Sequence, residues 1–311
     1  MRIVFMGTPE FGVYPLEYLV ENGYQVVAVY TQPDKAAGRG RNLTESPIKK
    51  IASKLNLNIL QPVSLKSTEA IAQLMELKPD VIIIAAFGQI LPQSVLETPP
   101  FKCINIHPSL LPKYRGVAPV PAAIINGDEF VGVSIMLVER RVDTGPLLAR
   151  AQIPVLSHDT TNSLMEKLSH VGAQLLLDIL PRWVHKEIKP QLQSDIGATY
   201  IHMLKKEEGE INWTLPAVDI WRRVRAYQPW PGCYTRWQGK QLKILEAVPL
   251  VGGETAEPGK VVAVDKKQAV FGIVTGNGVL GIIKVQLEGK KVMTAEEFLR
   301  GQRQFIGAVL S

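Results

Sequence analysis

Cysteine is scarce in this chain of 311 residues: Cys103 and Cys233 stand far apart, with no CxxC or Cys/His spacing. That excludes a disulfide framework and leaves no zinc ligand set, so no metal is expected. Long apolar runs are missing too. No window approaches the roughly 18 uninterrupted apolar residues of a membrane span. Met1-Arg2 leads straight into Ile3-Val4-Phe5-Met6 and a Gly-Thr-Pro turn, which reads as a first strand and not as a cleavable leader. Internal repeats and low-complexity tracts are absent. What remains is ordinary for a soluble globular protein, 46% hydrophobic and 21% charged, at a length that suits two domains. The cytoplasm is the expected location, with no membrane partner.

Charge of one sign is also lacking until the chain is divided. Residues 1–202 hold 19 Lys and Arg against 18 Asp and Glu, whereas 203–311 hold 16 against 11. Inside the near-neutral part, the Gly-containing stretch 34–50 carries Lys35, Arg39, Arg41, Lys49 and Lys50 against Asp34 and Glu45. Positive charge gathered in one loop and in the last third fits a polyanion such as nucleic acid, although a solvated basic surface explains any single cluster equally well.

Two organisations follow one another. The first ~185 residues alternate β-branched runs (Arg2–Met6, Gln25–Thr31, Ile59–Gln61, Val81–Ala86, Lys102–His107, Gly132–Leu137) with helical spacing (Phe11–Asn22, Ile48–Leu55, Ser67–Leu77, Asn162–Val184). This alternation predicts βαβ units in a Rossmann-like, doubly wound, mostly parallel α/β sheet over 1–188. A polar linker is expected over 189–206. From 207 to 311 one helix, Ala217–Tyr227, precedes five short strands parted by glycines, which predicts an OB-like β-barrel.

The turn Gly7-Thr8-Pro9-Glu10-Phe11-Gly12 occupies the place of a dinucleotide loop but is not GxGxxG. Pro9 replaces the middle glycine, and Glu10 puts negative charge where phosphate would bind. A structural turn is the better reading. Asn105 and His107 are different. They are two apart at the carboxyl end of a strand, where open α/β sheets bind ligands, and they leave the same face. The Pro-bounded run Pro108–Pro112 follows. A lone strand-end histidine is more often packed than reactive; the Asn/His pair evens the balance. Asp143, in a Val-Asp-Thr-Gly-Pro turn after another apolar strand, can fix the tautomer of a histidine and stabilise its charged form. No nucleophile elbow competes with these three.

With Asn105 ahead of it and Asp143-Thr144-Gly145 downstream, the run His107-Pro-Ser-Leu-Leu-Pro-Lys-Tyr-Arg-Gly116 resembles the signature of the 10-formyltetrahydrofolate-dependent formyltransferases. Gly7–Phe11, the basic loop Thr31–Arg41 and Arg225–Gly232 narrow the likeness to the branch that acts on methionyl-tRNA, over essentially the whole chain. The resemblance implies formyl transfer from 10-formyltetrahydrofolate, a co-substrate, to the α-amino group of initiator methionyl-tRNA. In it Asn105, His107 and Asp143 are catalytic, and the pterin lies against Phe87, Gly88, Gln89, Ile90 and Leu91 and against Ser109, Leu110, Leu111 and Pro112. Lys35, Arg39, Arg41, Lys205, Lys206, Arg222, Arg223 and Arg225 become tRNA contacts, mainly to phosphates. A monomer is implied.

The sequence departs from that pattern in places. Arg141 stands two residues before Asp143, where the family usually has glycine; if that glycine serves a positive φ, Arg141 must take it or the turn is built differently. Pro121-Ala122-Ala123 and Asn212 are further departures. Formyl transfer to another amine, hydrolysis of the formyl-folate, and a non-catalytic RNA-binding protein on the same scaffold are the rival readings.

Overall fold

The structure, a computed structural model, describes residues 1–37, 42–250, 256–265 and 269–310. In chain order the first part contains β1 (Arg2–Gly7), α1 (Val13–Glu21), β2 (Gln25–Tyr30), β3 (Lys35–Ala37), β4 (Asn42–Thr44), α2 (Pro47–Lys54) and β5 (Ile59–Leu60). It continues with α3 (Thr68–Glu76), β6 (Val81–Ala85), α4 (Gln93–Glu97), β7 (Cys103–His107), β8 (Arg115–Gly116), α5 (Pro119–Asn126), β9 (Phe130–Leu137), β10 (Leu147–Pro154), α6 (Thr161–Val184) and β11 (Tyr200–Ile201).

One sheet organises these elements, in the order β10-β9-β7-β6-β1-β2-β5. The five strands from β7 to β5 are parallel; β9 runs antiparallel to β7, and β10 antiparallel to β9. The sheet is thus mostly parallel, as the alternation predicts. Val81–Ala85 is buried at every position, the pattern of a strand covered on both faces, where each large apolar side chain contributes about 1.5–3 kcal/mol. After β1 the chain moves outward to β2 and β5, then crosses back beyond β1 to β6. That reversal makes the β1/β6 boundary a switch point. α1 packs with α2, and α3 with α4. The core row Val4, Met6, Ile82, Ile84 and Cys103 meets Leu74, Val95 and Leu96 of α3 and α4. Side-chain alternation along β7 sets Asn105 and His107 on the face of Cys103, so they continue that row.

The basic stretch holds a small hairpin, β3 paired antiparallel with β4. Its base is tied down: Asp34 accepts from Lys49 Nζ at 2.5 Å and from Gln61 Nε2 at 2.9 Å. These two donors hold the Asp34 carboxyl below its usual range. Lys49 is therefore spent inside the loop. Arg39 and Arg41 lie outside the described residues.

The last part comprises α7 (Ala217–Ala226), β12 (Cys233–Trp237), β13 (Lys240–Leu250), β14 (Val261–Ala263), β15 (Phe271–Val274), β16 (Val279–Leu287), β17 (Met293–Thr294) and α8 (Ala295–Gly301). Its strands form an antiparallel curled sheet, β12-β13-β16-β15-β14 with β17 on β16, as the glycine-parted runs predict. Trp237, Phe271, Phe298 and Phe305 meet mostly edge-to-face at its centre, with centroids 4.9–6.4 Å apart. The chain divides into two compact units, but not by a single cut. The first takes Met1–Pro119, Phe130–Pro154 and Met165–Ile201; the second takes Val120–Glu129, Val155–Leu164 and His202–Ser311. Residues 189–201 of the expected linker thus cluster with the α/β unit.

Candidate active site

Asn105 and His107 sit at the carboxyl end of β7, paired with Met136 and Ser134 of β9. His107 is 5% exposed, and its ring has defined surroundings. Nε2 lies 3.1 Å from the Tyr114 carbonyl oxygen. A carbonyl can only accept, so Nε2 carries a proton and the ring's remaining chemistry is at Nδ1. Nδ1 faces Asp143 Oδ2 at 3.7 Å. The same Oδ2 accepts from the Gly116 main-chain N–H at 2.8 Å, which fixes the carboxylate. Among the described residues the Asn105 side chain makes no hydrogen bond, which leaves an amide two residues from the imidazole and on its face.

The turn around Asp143 resolves the departure at Arg141. Asp143 itself takes the positive φ, +52°, whereas Arg141 does not. Aspartate tolerates the left-handed region better than a long side chain does, so no glycine is needed at 141. The glycine that is needed is Gly145, where a Cβ would meet the Leu137 carbonyl oxygen at 1.8 Å. Gly116 is constrained likewise, with φ +114° and the Ile201 carbonyl oxygen 2.3 Å from where its Cβ would be.

The segments expected to hold folate flank this pair. Phe87–Leu91 follows β6, the parallel neighbour of β7, so both strands end at one edge. Phe87 is buried, and its carbonyl accepts from Thr8 Oγ1 and Gln32 Nε2, both at 3.0 Å. The Gln89 side chain ties back to Leu65 N and the Pro62 carbonyl, while Gly88 and Ile90 are exposed. In the second segment Ser109 is buried, with Oγ on the Lys113 carbonyl at 2.7 Å, and Leu111 packs with Met136 and Leu147. Leu110 and Pro112 complete this loop. Ser134 holds it from β9, accepting from Leu111 N at 3.0 Å and donating to the Ser109 carbonyl at 2.7 Å. Sequence reasoning passed over Ser134, Tyr114, Gly116 and Gln193. Two of them act through main-chain atoms, which side-chain identity does not mark.

The basic residues differ in availability. Lys35, Lys205 and Lys206 are exposed, although Lys35 Nζ reaches Gln32 Oε1 at 2.6 Å. Arg222 pairs with Asp219 at 3.5 Å, and Arg223 is half-buried. Arg225 is 9% exposed, lies over the Trp221 ring at 3.9 Å and donates to the Leu156 and Asp159 carbonyls at 3.2 Å. Burial pushes its pKa down. It is a packed residue and not a free phosphate ligand. The two cysteines are inert, each thiol pushed up to about 12 by burial. Among the described residues no group of three His, Cys, Asp or Glu could hold a metal ion, and no helix is long and apolar enough to cross a membrane.

Comparison with known proteins shows the family. The formyl transferase family model matches residues 1–180, and the formyl transferase C-terminal domain model matches 203–303. A methionyl-tRNA formyltransferase of Dehalococcoides mccartyi is 49% identical over 310 residues, covering 100% of this chain and 98% of that one. Among solved structures, methionyl-tRNA formyltransferase from Clostridium thermocellum shares the fold at a TM-score of 0.55 and 18% identity, over 80% of this chain and 93% of that one. HypX from Aquifex aeolicus in complex with tetrahydrofolic acid does so at 0.66 and 19%, over 98% of this chain and 48% of that one. The chain belongs to the formyl transferase family, among the methionyl-tRNA formyltransferases, and carries both of the family's domains.

Proposed function

We propose that this protein transfers the formyl group of 10-formyltetrahydrofolate to the α-amino group of methionine esterified to initiator tRNA. The observation that carries the reading is the His107–Asp143 pair, oriented by one main-chain carbonyl and one main-chain N–H beside the unengaged amide of Asn105. The 49% identity along the whole chain supports the acceptor.

The chemistry follows from those groups. The α-amino nitrogen attacks the formyl carbon, and negative charge grows on the formyl oxygen. Asn105 donates its amide N–H to that oxygen, with the His107 imidazole on the same face of the strand. As the C–N bond to the new amine forms and the bond to folate N10 breaks, one proton leaves the amine and one reaches N10. Asp143 orients His107 and takes part in that relay, through water where the gap requires it. No covalent enzyme intermediate or metal enters. The exposed backbone at Gly88 and Ile90 and the Ser109–Pro112 loop flank the pterin. Arg39, Lys35, Arg41, Lys205, Lys206, Arg222 and Arg223 meet the tRNA, chiefly at phosphates. Arg225 supports α7 from inside. The chain works as a monomer in the cytoplasm.

The test is to incubate the protein with 10-formyltetrahydrofolate and methionyl initiator tRNA and to identify the amino acid released by mild alkali. Formylmethionine is the expected product. Formate without formylmethionine would instead make the protein a hydrolase, and tight tRNA binding with no folate turnover would make it a binding protein.

A further inference from the structure

Gln193 lies in the polar segment after α6, where the sequence suggests no chemistry. Its side-chain amide is used at both ends. Nε2 donates to the main-chain carbonyls of Asp143 at 3.0 Å and Gly145 at 2.8 Å. Oε1 accepts from Arg115 Nε at 3.2 Å and from a terminal guanidinium nitrogen at 3.0 Å. Arg115 is 1% exposed, and its other terminal nitrogen is filled by Asp195 Oδ1 at 3.0 Å and the Tyr200 hydroxyl at 2.8 Å. A buried planar guanidinium with its donors occupied is a fixed point. Main-chain bonds reinforce it: Arg115 N donates to the Thr199 carbonyl at 2.8 Å, and Tyr114 N to Thr199 Oγ1 at 2.7 Å.

We propose that Gln193 is a positioning residue for Asp143, clamping the backbone of its turn so that Oδ2 is held against His107 Nδ1. The inference rests on the reading of Asp143 as the catalytic partner of His107. Asp143 sits in the left-handed region, φ +52°, which aspartate tolerates but does not by itself fix. The carbonyls on which Gln193 acts are those of Asp143 itself and of the obligatory glycine two residues on. Meanwhile Tyr114, Arg115 and Gly116 reach His107, Gln193 and Asp143 respectively. One tripeptide and one amide thereby set the positions of both catalytic side chains. Only a primary amide satisfies this place. It donates to two carbonyls and accepts from a guanidinium, whereas a carboxylate keeps the second contact and loses the first.

The experiment compares Gln193→Met and Gln193→Glu, each alone and combined with Asp143→Asn. Single-turnover formylation of methionyl-tRNA is measured together with binding of 5-formyltetrahydrofolate as a check on the folded site. Each Gln193 variant is expected to lower the transfer rate about 10- to 100-fold, with KM for both substrates changed less than about three-fold. In the Asp143→Asn background neither causes a further loss, because the group that Gln193 positions is already disabled. A wild-type rate in Gln193→Glu, the full loss repeated on top of Asp143→Asn, or folate binding lost together with rate would each overturn the proposal. A wild-type rate in Asp143→Asn alone would instead overturn the assignment of Asp143.

Discussion

At His107 the two ring nitrogens have separate tasks, and neither task is written in the residue's own name. Nε2 is spent on the Tyr114 carbonyl, so Nδ1 alone faces the carboxylate. In the proposed reaction Asn105 is the side chain that meets charge developing on the formyl oxygen. Replacing it with Ala should cut kcat about 10²- to 10³-fold, with the KM for folate little changed, as for removal of one preorganised donor. Steady-state kinetics on both substrates reads this directly, and a rise in KM at constant kcat would make Asn105 a binding residue. Arg225 is predicted from the opposite circumstance. One terminal nitrogen of its guanidinium serves two carbonyls and the group covers a tryptophan face, so Arg225→Ala should lower Tm by leaving those carbonyls unpaired, a cost of about 1–3 kcal/mol. The salt dependence of tRNA binding should not change. The placement of Asn105 and His107 at one strand end was legible from their i, i+2 spacing, and that of Asp143 in a turn from its Asp-Thr-Gly-Pro run. Arg225 stood among the expected tRNA contacts, but charge in a sequence does not say which face of a helix is covered, and here that side chain is buried. Gln193 was invisible, because its partners are carbonyls about fifty residues away.

Among the elements, β9 does more than pair. Ser134, across from His107, holds both ends of the 109–111 loop through one buried hydroxyl. Ser134→Ala strands a buried N–H and a buried carbonyl and should destabilise the protein by about 1–3 kcal/mol, loosening the loop. The KM for 10-formyltetrahydrofolate should rise while the KM for tRNA stays constant; equal rises would mean that the loop serves the whole fold and not the folate side. The central parallel strands were legible because they are continuous apolar runs, β6 being buried at every position. β10 was not. Leu147–Pro154 is an edge strand with alternating half-exposed positions and a terminal proline, which reads locally as turn and loop. The β3/β4 hairpin escaped notice for a related reason: three-residue strands leave no periodicity to detect.

For the whole molecule, the net charge of +6 is concentrated where the acceptor is proposed to bind. Electrostatic binding to a polyphosphate releases counterions, so log KM for methionyl-tRNA should rise linearly with log salt while the KM for folate stays nearly flat. Arg39→Ala should reduce that slope by about one, the signature of a single lost phosphate contact. An unchanged slope with weakened folate binding would mean that the loop supports the active site instead. The succession of a mostly parallel α/β sheet and a basic, curled antiparallel sheet was legible from composition and spacing. Which basic side chains are free was not, because packing decides it. Central to the proposed function is that the protein formylates an amine because tRNA carries it. The most direct measurement compares kcat/KM for methionyl initiator tRNA with that for methionine ethyl ester, under identical 10-formyltetrahydrofolate. The tRNA should be preferred by at least about 10³, the contribution of several phosphate contacts to transition-state binding. Equal values for the two acceptors would contradict it.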